Sequence, residues 1–129
     1  MKTRLQGMMI AIPLLLEISE NRIDILKSYA KKMNIVCVLK DARTLVANYQ
    51  NNTYLNTTGN ASMAKGGSGD VLTGMIAGIL AQGSELFEAA TLGVYLHGLS
   101  GDYAKESSGK YSVFASDIID SISNVLKEI

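Results

Sequence analysis

The chain has 129 residues, of which 47% are hydrophobic and 19% charged, a composition typical of one globular domain and unlike that of a disordered protein. Twelve basic residues balance twelve acidic ones, and without an excess of positive charge we expect neither nucleic acid nor a membrane as a partner. The single cysteine, Cys37, excludes an intramolecular disulfide, and we expect it to be buried in the core of a cytoplasmic protein.

An apolar stretch from Met8 to Leu16 follows the basic residues Lys2 and Arg4. The stretch is too short to span a bilayer, which requires about 20 apolar residues. Its charge order is that of a signal peptide, but no clean small-residue cleavage site follows. We therefore expect no secretion, and the stretch could instead cover part of the core or add a strand to the sheet.

The next segment predicts a helix, a buried strand and a hairpin. Asn21 is placed to cap the helix. The apolar positions at helical spacing are Ile23, Leu26, Tyr29, Ala30 and Met33. The β-branched apolar run from Ile35 to Leu39 predicts a strand buried on both faces, and therefore a parallel strand of an α/β sheet. Residues 44–47 and 53–56 predict two short strands around a polar turn.

Glycine-rich sequence then leads into three helices. Residues 57–69 are almost entirely small and polar, residues 71–82 are apolar nearly all round, and Gly83 suits a helix C-terminus. Ser84 and Ser116 are placed to cap two further helices. The apolar positions of the first are Leu86, Ala90, Leu92, Leu96 and Leu99, and those of the second are Ile118, Ile119, Ile122, Val125, Leu126 and Ile129. Strand-plus-helix units without a linker indicate one α/β domain.

The loop Gly66-Gly67-Ser68-Gly69 before a helix is typical of an anion site. Glycines allow the backbone to approach a phosphate closely, and the amides at a helix N-terminus favour negative charge. Asp70 would repel a bound triphosphate unless it has another role. Accepting the proton of a hydroxyl that attacks the terminal phosphoryl group is such a role. The alternative is that Asp70 only stabilises the helix N-terminus, by about 0.3–1 kcal/mol.

Other phosphate and metal motifs are excluded. The nearest match to a P-loop has Ala64 at the position of the second glycine and Gly66 at the position of the magnesium-binding hydroxyl. No pairs of cysteines or histidines indicate zinc. The lone histidine, His97, lies within a predicted helix, where a structural role is more common than a catalytic one.

The glycine-rich region and its surroundings resemble the NAD(P)H-hydrate dehydratase family. The matching blocks are Val38-Leu39-Lys40 with Thr44, Thr58-Gly59-Asn60, Met63-Ala64, Gly66-Gly67-Ser68-Gly69-Asp70-Val71-Leu72-Thr73-Gly74, Tyr95-Leu96-His97-Gly98-Leu99-Ser100-Gly101-Asp102 and Ala115-Ser116-Asp117. The similarity covers roughly Ser19 to Ile129. It divides the chain into a divergent segment, residues 1–18, and the C-terminal part of the family's domain, residues 19–129.

The resemblance implies a partial ribokinase-like, three-layer α/β/α domain with a mostly parallel sheet. It implies a metabolite-repair enzyme that uses ADP or ATP, with Mg²⁺, to phosphorylate the hydroxyl of hydrated NADH or NADPH and then to eliminate phosphate. Asp70 would be catalytic and would contact the hydrate. The residues that would contact the nucleotide are Lys40, Asp41, Ala42, Arg43, Thr44, Asn60, Ala61, Ser62, Met63, Ala64, Lys65, Gly66, Gly67, Ser68 and Gly69.

The chain departs from the family in places. The family usually has glycine at the positions of Asp41 and Arg43, proline at Ala61 and threonine at Lys65. The family's domain also extends further upstream, so we expect either a homo-oligomer or association with a complementary N-terminal half. Two other hypotheses remain open: a related small-molecule kinase, and a fragment that keeps the nucleotide loop without turnover.

Overall fold

A computed structural model describes residues 7–11 and 21–129 of the protein. In chain order its elements are β1 (Gly7–Ala11), α1 (Arg22–Met33), β2 (Ile35–Leu39), β3 (Leu45–Ala47), β4 (Thr53–Leu55), a 3₁₀ turn (Ala61–Met63), α2 (Ser68–Ala81), α3 (Leu86–Ser108) and α4 (Ala115–Lys127). The predicted boundary between residues 18 and 19 lies outside the described residues, as does the apolar stretch beyond residue 11.

The described strands form one sheet in the order β1-β2-β3-β4. β1 pairs in parallel with β2, so the N-terminal stretch does add a strand. β3 pairs antiparallel with both β2 and β4, which confirms the predicted hairpin. In the described part, parallel pairing is thus limited to β1 and β2, unlike the mostly parallel sheet that we expected, because the hairpin supplies the other two pairings.

Helices cover both faces of the sheet, which confirms the three-layer α/β/α architecture. Successive side chains of a strand point to opposite faces. In β2, Cys37 and Leu39 pack against α1, whereas Val36 and Val38 pack against α2 and α3. β2 is therefore buried on both faces as predicted, and Cys37 is a core residue with 1% of its surface exposed.

The first helix begins directly after Asn21 as predicted, whereas the start of α2 differs from the prediction. Asn21 precedes α1, but its side chain makes no capping hydrogen bond. α2 begins at Ser68, three residues early, because Gly67 takes up a left-handed conformation (φ 89°) that ends the loop there. Its end is as predicted, with Gly83 at φ 96° donating its amide hydrogen to the carbonyl of Leu80.

Neither predicted serine caps the helix that follows it. Glu85 is the residue before α3, and its carbonyl accepts from the amide of Ala89 at 2.8 Å. Phe114 is the residue before α4, and its amide donates to the carboxylate of Asp117 at 2.7 Å. Asp117 therefore satisfies the amide of Phe114, and its own amide donates to the Phe114 carbonyl at 3.0 Å, so no serine hydroxyl is used at this helix start.

The predicted apolar faces are only partly buried. Leu26 and Ala30 of α1 are buried, whereas its other apolar side chains are largely exposed. Ile118 and Val125 anchor α4 while their apolar neighbours remain exposed, and in α3 the side chain of Leu92 is also exposed. No helix in the described part is long and apolar enough to cross a membrane.

Three glycines of α3 allow its neighbours to approach closely. A Cβ on Gly93 would lie 2.5 Å from the Cγ1 of Ile76 in α2. A Cβ on Gly98 would lie 2.1 Å from the Oγ1 of Thr58, and one on Gly101 would lie 2.1 Å from the sulfur of Met63. These contacts hold α2 and the loop of residues 57–67 against α3, where the candidate site lies.

Candidate functional site

A cavity of about 700 Å³ opens where β2 ends. Three other elements line it: the loop of residues 57–67, the N-terminal half of α2 and the middle of α3. It collects predicted nucleotide-contacting residues that are distant in the sequence. Those that line it are Lys40, Asp41, Ala42, Arg43, Thr44, Asn60, Ala61, Met63, Ala64, Lys65 and Ser68. The parallel strand β2 therefore delivers Lys40 to the same place as the glycine-rich loop, at the carboxyl end of the strand.

The remaining predicted site residues do not line this cavity. Ser62 is buried, and its amide donates to the Oδ1 of Asn60 at 3.0 Å. Gly66, Gly67 and Gly69 lie at the start of α2 outside the cavity lining. Asp70 is exposed and lines a neighbouring groove of about 590 Å³ between α2 and α4, together with apolar side chains.

The N-terminus of α2 is built to expose backbone amides. Gly67 precedes the helix in a left-handed conformation, and a Cβ there would lie 3.1 Å from the Cβ of Ala115 in α4. Within the described residues, the amides of Gly69 and Asp70 have no hydrogen-bond acceptor, as expected in the first turn of a helix. Such amides bind anions well because the helix dipole adds to their partial positive charge.

Lys40 lies directly over this helix turn. Its Nζ is 3.5 Å from the position that a Cβ on Gly69 would occupy. Burial lowers the pKa of Lys40, while the negative charge of Asp70 opposes that shift. An ammonium group thus lies beside a helix turn with unpaired amides, and ammonium and amide donors are groups that bind phosphate oxygens.

His97 of α3 contacts the first residue of α2. Its Nε2 lies 2.9 Å from the carbonyl oxygen of Ser68 and 3.3 Å from the Ser68 hydroxyl. Both residues are buried. Burial, with a smaller contribution from the positive charge of Lys40, lowers the pKa of His97 to about 4, so the imidazole is neutral near pH 7. The predicted hydrogen-bonded structural role of His97 agrees with these contacts.

The cavity wall opposite α2 is fixed by side chains that the sequence analysis did not single out as site residues. Both carboxylate oxygens of Asp102 are used: one accepts from the amide of Gly59 at 3.0 Å and the other from the Nδ2 of Asn60 at 2.7 Å. The buried side chain of Asn56 donates to the carbonyl of Thr58 at 3.1 Å. Asp102 belongs to a motif block of the resemblance, whereas Asn56 carries no signal beyond its place at a strand end.

The two unusual residues at the end of β2 are both engaged. Arg22 of α1 forms a salt bridge of 2.6 Å with Asp41 and donates to the carbonyl of Arg43 at 3.0 Å. The Arg43 guanidinium in turn donates to the carbonyl of Thr57 at 2.9 Å. The charge of Asp41 is therefore compensated by Arg22, and Arg43 ties the two loops that border the cavity.

Lys65 is directed towards the segment before α4. Its Nζ donates to the carbonyl of Tyr111 at 3.0 Å and lies 5.0 Å from the ring centroid of Phe114. Lys65 thus stabilises the loop next to α2 as well as lining the cavity. In the described residues no group of three or more His, Cys, Asp or Glu side chains is arranged to hold a metal ion.

Comparison with known proteins identifies the family. A family model described as NAD(P)H-hydrate dehydratase matches residues 3–124. The chain belongs to the NAD(P)H-hydrate dehydratase family. The match also takes in most of residues 1–18, although the domain boundary drawn there stays a prediction.

Individual members of the NAD(P)H-hydrate dehydratase family agree with this assignment. The bifunctional NAD(P)H-hydrate repair enzyme Nnr of Moorella thermoacetica is 44% identical over 113 residues, which are 88% of this chain and 21% of that protein. The ADP-dependent (S)-NAD(P)H-hydrate dehydratase of Bacillus subtilis is 34% identical over 86% of this chain and 40% of its own length.

A solved structure confirms the ribokinase-like fold. The ADP/ATP-dependent NAD(P)H-hydrate dehydratase of Bacillus subtilis, co-crystallised with ATP and Mg²⁺, superposes with a TM-score of 0.90 at 30% identity. The superposed region is 95% of this chain and 48% of the Bacillus subtilis chain. A ribokinase-like protein from Enterococcus faecalis superposes with a TM-score of 0.76 at 30% identity. The chain therefore spans less than half the length of these relatives.

Proposed function

We propose that this chain takes part in the nucleotide-dependent dehydration of hydrated NADH and NADPH. The observation that carries the proposal is the position of Lys40, which lines the cavity and lies beside a helix turn whose Gly69 and Asp70 amides have no acceptor among the described residues. Relatives named as NAD(P)H-hydrate dehydratases support the choice of reaction. A phosphoryl-transfer site needs positioning and electrostatic stabilisation of phosphate oxygens above all, and this donor set supplies both.

Asp70 is the proposed general base. It follows the anion-binding turn and lines the neighbouring groove, so a hydroxyl approaching from that side would meet its carboxylate. Asp70 takes the hydroxyl proton while the hydroxyl oxygen bonds to the terminal phosphorus of ATP, and ADP leaves. The phosphate then leaves with the electrons of its C–O bond, the adjacent carbon loses a proton to water, and the electrons of that C–H bond form the double bond of the dihydronicotinamide.

The proposed co-substrate is ADP or ATP, with Mg²⁺. The fit rests on Gly69, since a larger side chain there would fill the space between the helix turn and Lys40. The proposed contacts with the nucleotide come from Lys40, residues 41–44 and residues 60–69, of which Ser62, Gly66, Gly67 and Gly69 lie outside the cavity lining. Mg²⁺ would neutralise charge on the phosphate oxygens.

Besides these small molecules, the proposed partner is a second polypeptide chain. Relatives are at least about twice as long as this chain, and residues that hold the hydrate would come from a second copy or from a complementary N-terminal half. The cytoplasm is the proposed location, where the buried thiol of Cys37 would remain reduced.

The direct test incubates the protein with ATP and hydrated NADH and follows both the ultraviolet absorbance of the dihydronicotinamide and the release of phosphate. We expect both signals to rise together, and ADP should be tried in place of ATP. A panel of vitamin alcohols is the control for substrate class. Phosphorylation of such an alcohol, without reaction of the hydrate, would instead assign a small-molecule kinase, and no reaction with any substrate would contradict turnover by this chain.

A further inference from the structure

His97 lies at one end of the contact between α2 and α3. Gly93 precedes it by one helical turn and allows α3 to come within side-chain contact of Ile76. Ser68 precedes Ile76 by two turns on the same face of α2. The close approach at Gly93 therefore brings the imidazole of His97 to the first turn of α2 rather than to its middle.

The distances from Nε2 of His97 to Ser68 determine which ring nitrogen carries the proton. The carbonyl oxygen of Ser68 can only accept a hydrogen bond, so the 2.9 Å contact requires the proton of the neutral ring to be on Nε2. The Ser68 hydroxyl oxygen, at 3.3 Å, is then a second acceptor from the same N–H. Ser68 borders the cavity with only 1% of its surface exposed, so the imidazole holds the start of α2 from beneath.

Lys40 faces the same helix turn from the other side. Its Nζ lies next to Gly69, one residue after Ser68. The cation also makes a second proton on His97 unfavourable, which keeps the ring as a single donor at Nε2. The first turn of α2 thus accepts a hydrogen bond from the neutral His97 of α3 and lies next to the Lys40 cation at the end of β2.

We propose that His97 is a positioning residue that fixes the first turn of α2 through the buried Ser68, so that the Gly69 amide next to it points at the phosphate beside Lys40. The inference rests on the proposed nucleotide function. It assigns His97 no contact with the nucleotide and no proton transfer. Its effect is on affinity, through the orientation of the donors that do touch phosphate.

The test compares two amide side chains of different reach at position 97. The terminal amide of glutamine lies near the position of Nε2 and can donate to the Ser68 carbonyl, whereas that of asparagine ends nearer to Nδ1. We expect His97→Asn to weaken ATP binding about tenfold, the effect of losing roughly 1.4 kcal/mol of interaction, and His97→Gln to stay within about threefold of wild type. Calorimetric titration with ATP and Mg²⁺ measures the affinities, and thermal melting reports stability.

Ser100→Ala is the matched control on the same helix. The hydroxyl of Ser100 is buried without a hydrogen-bond partner among the described residues, so its removal should leave ATP affinity unchanged. Equal affinities for the Asn and Gln variants and wild type would overturn the inference, as would equal losses in both variants that follow a shared drop in melting temperature. If wild-type protein does not bind ATP at all, the proposed function fails together with the inference.

Discussion

At the scale of single residues, a substitution of Asp70 should distinguish an effect on turnover from an effect on ATP binding. Asp70→Asn removes a negative charge near the proposed phosphate site, so ATP affinity should stay within a few-fold of wild type or increase. Loss of a general base typically lowers turnover by about 10²–10⁴, and we expect a loss of that size in the phosphate-release assay. Asp24→Asn, in the first turn of α1, is the matched control for an effect on helix stability. Turnover close to wild type in Asp70→Asn would reduce Asp70 to a residue that stabilises the helix.

A second residue-scale prediction concerns pH. The pKa of His97 falls from 6.5 to about 4 in the folded protein because the ring is buried and Lys40 lies nearby. As pH drops from about 6.5 to about 4, the unfolded chain takes up a proton that the folded protein does not, so the free energy of unfolding decreases. Urea denaturation across this range should show a steeper loss in wild type than in His97→Gln. Parallel curves for the two proteins would contradict the depressed pKa.

At the scale of elements, the packing of the 57–67 loop on α3 requires a residue without a side chain at Gly98. A Cβ on Gly98 would lie 2.1 Å from the Oγ1 and 2.7 Å from the carbonyl carbon of Thr58, so Gly98→Ala must displace this loop. We expect the free energy of unfolding to fall by about 1–3 kcal/mol and ATP affinity to fall with it. Gly78→Ala, where a Cβ meets open space, should instead stabilise α2 by up to about 1 kcal/mol. Equal stabilities of the two variants in urea would show that the loop does not depend on Gly98.

The elements also show how far sequence reasoning reaches. The strand Ile35–Leu39 and the hairpin were predictable because continuous burial and turn residues leave a direct pattern in the sequence. The first residues of α3 and α4 were not, since Glu85 and Phe114 precede these helices without a serine cap, and the amide of Phe114 is satisfied by Asp117 instead. The contacts of Asp102 with Gly59 and Asn60 depend on the approach of α3 to a loop some 40 residues earlier, which no local pattern encodes.

At the scale of the whole molecule, the described residues leave apolar surface exposed. The groove between α2 and α4 is lined by Val71, Met75, Ile79, Ile119 and other apolar side chains. In the described part of the chain, β1 is paired on one side only. Exposed apolar patches and open sheet edges promote association, so we expect a dimer or larger oligomer. Light scattering across a concentration series should show a mass above that of the monomer, and a constant monomer mass at every dilution would contradict the prediction.

The location of the site in the molecule was partly predictable. The glycine-rich loop and Asp70 stand out by their place before a helix, whereas Lys40 was indicated only by the family resemblance. The structure places Lys40 next to the start of α2. The structure separates Asp70 from the cavity lining and places it on the side of the neighbouring groove. This separation depends on the direction of the first turn of α2, which the sequence does not specify.

The central claim is that phosphate binds at the first turn of α2, and one calorimetric titration tests it most directly. ATP with Mg²⁺ is titrated into wild type, Gly69→Val and Gly78→Val, which place the same side chain on the same helix. A valine at position 69 would intrude between the helix amides and Lys40, so we expect ATP binding to be abolished there, and to be retained in Gly78→Val because that position faces open space. A folded Gly69→Val protein that binds ATP as tightly as wild type would contradict the account.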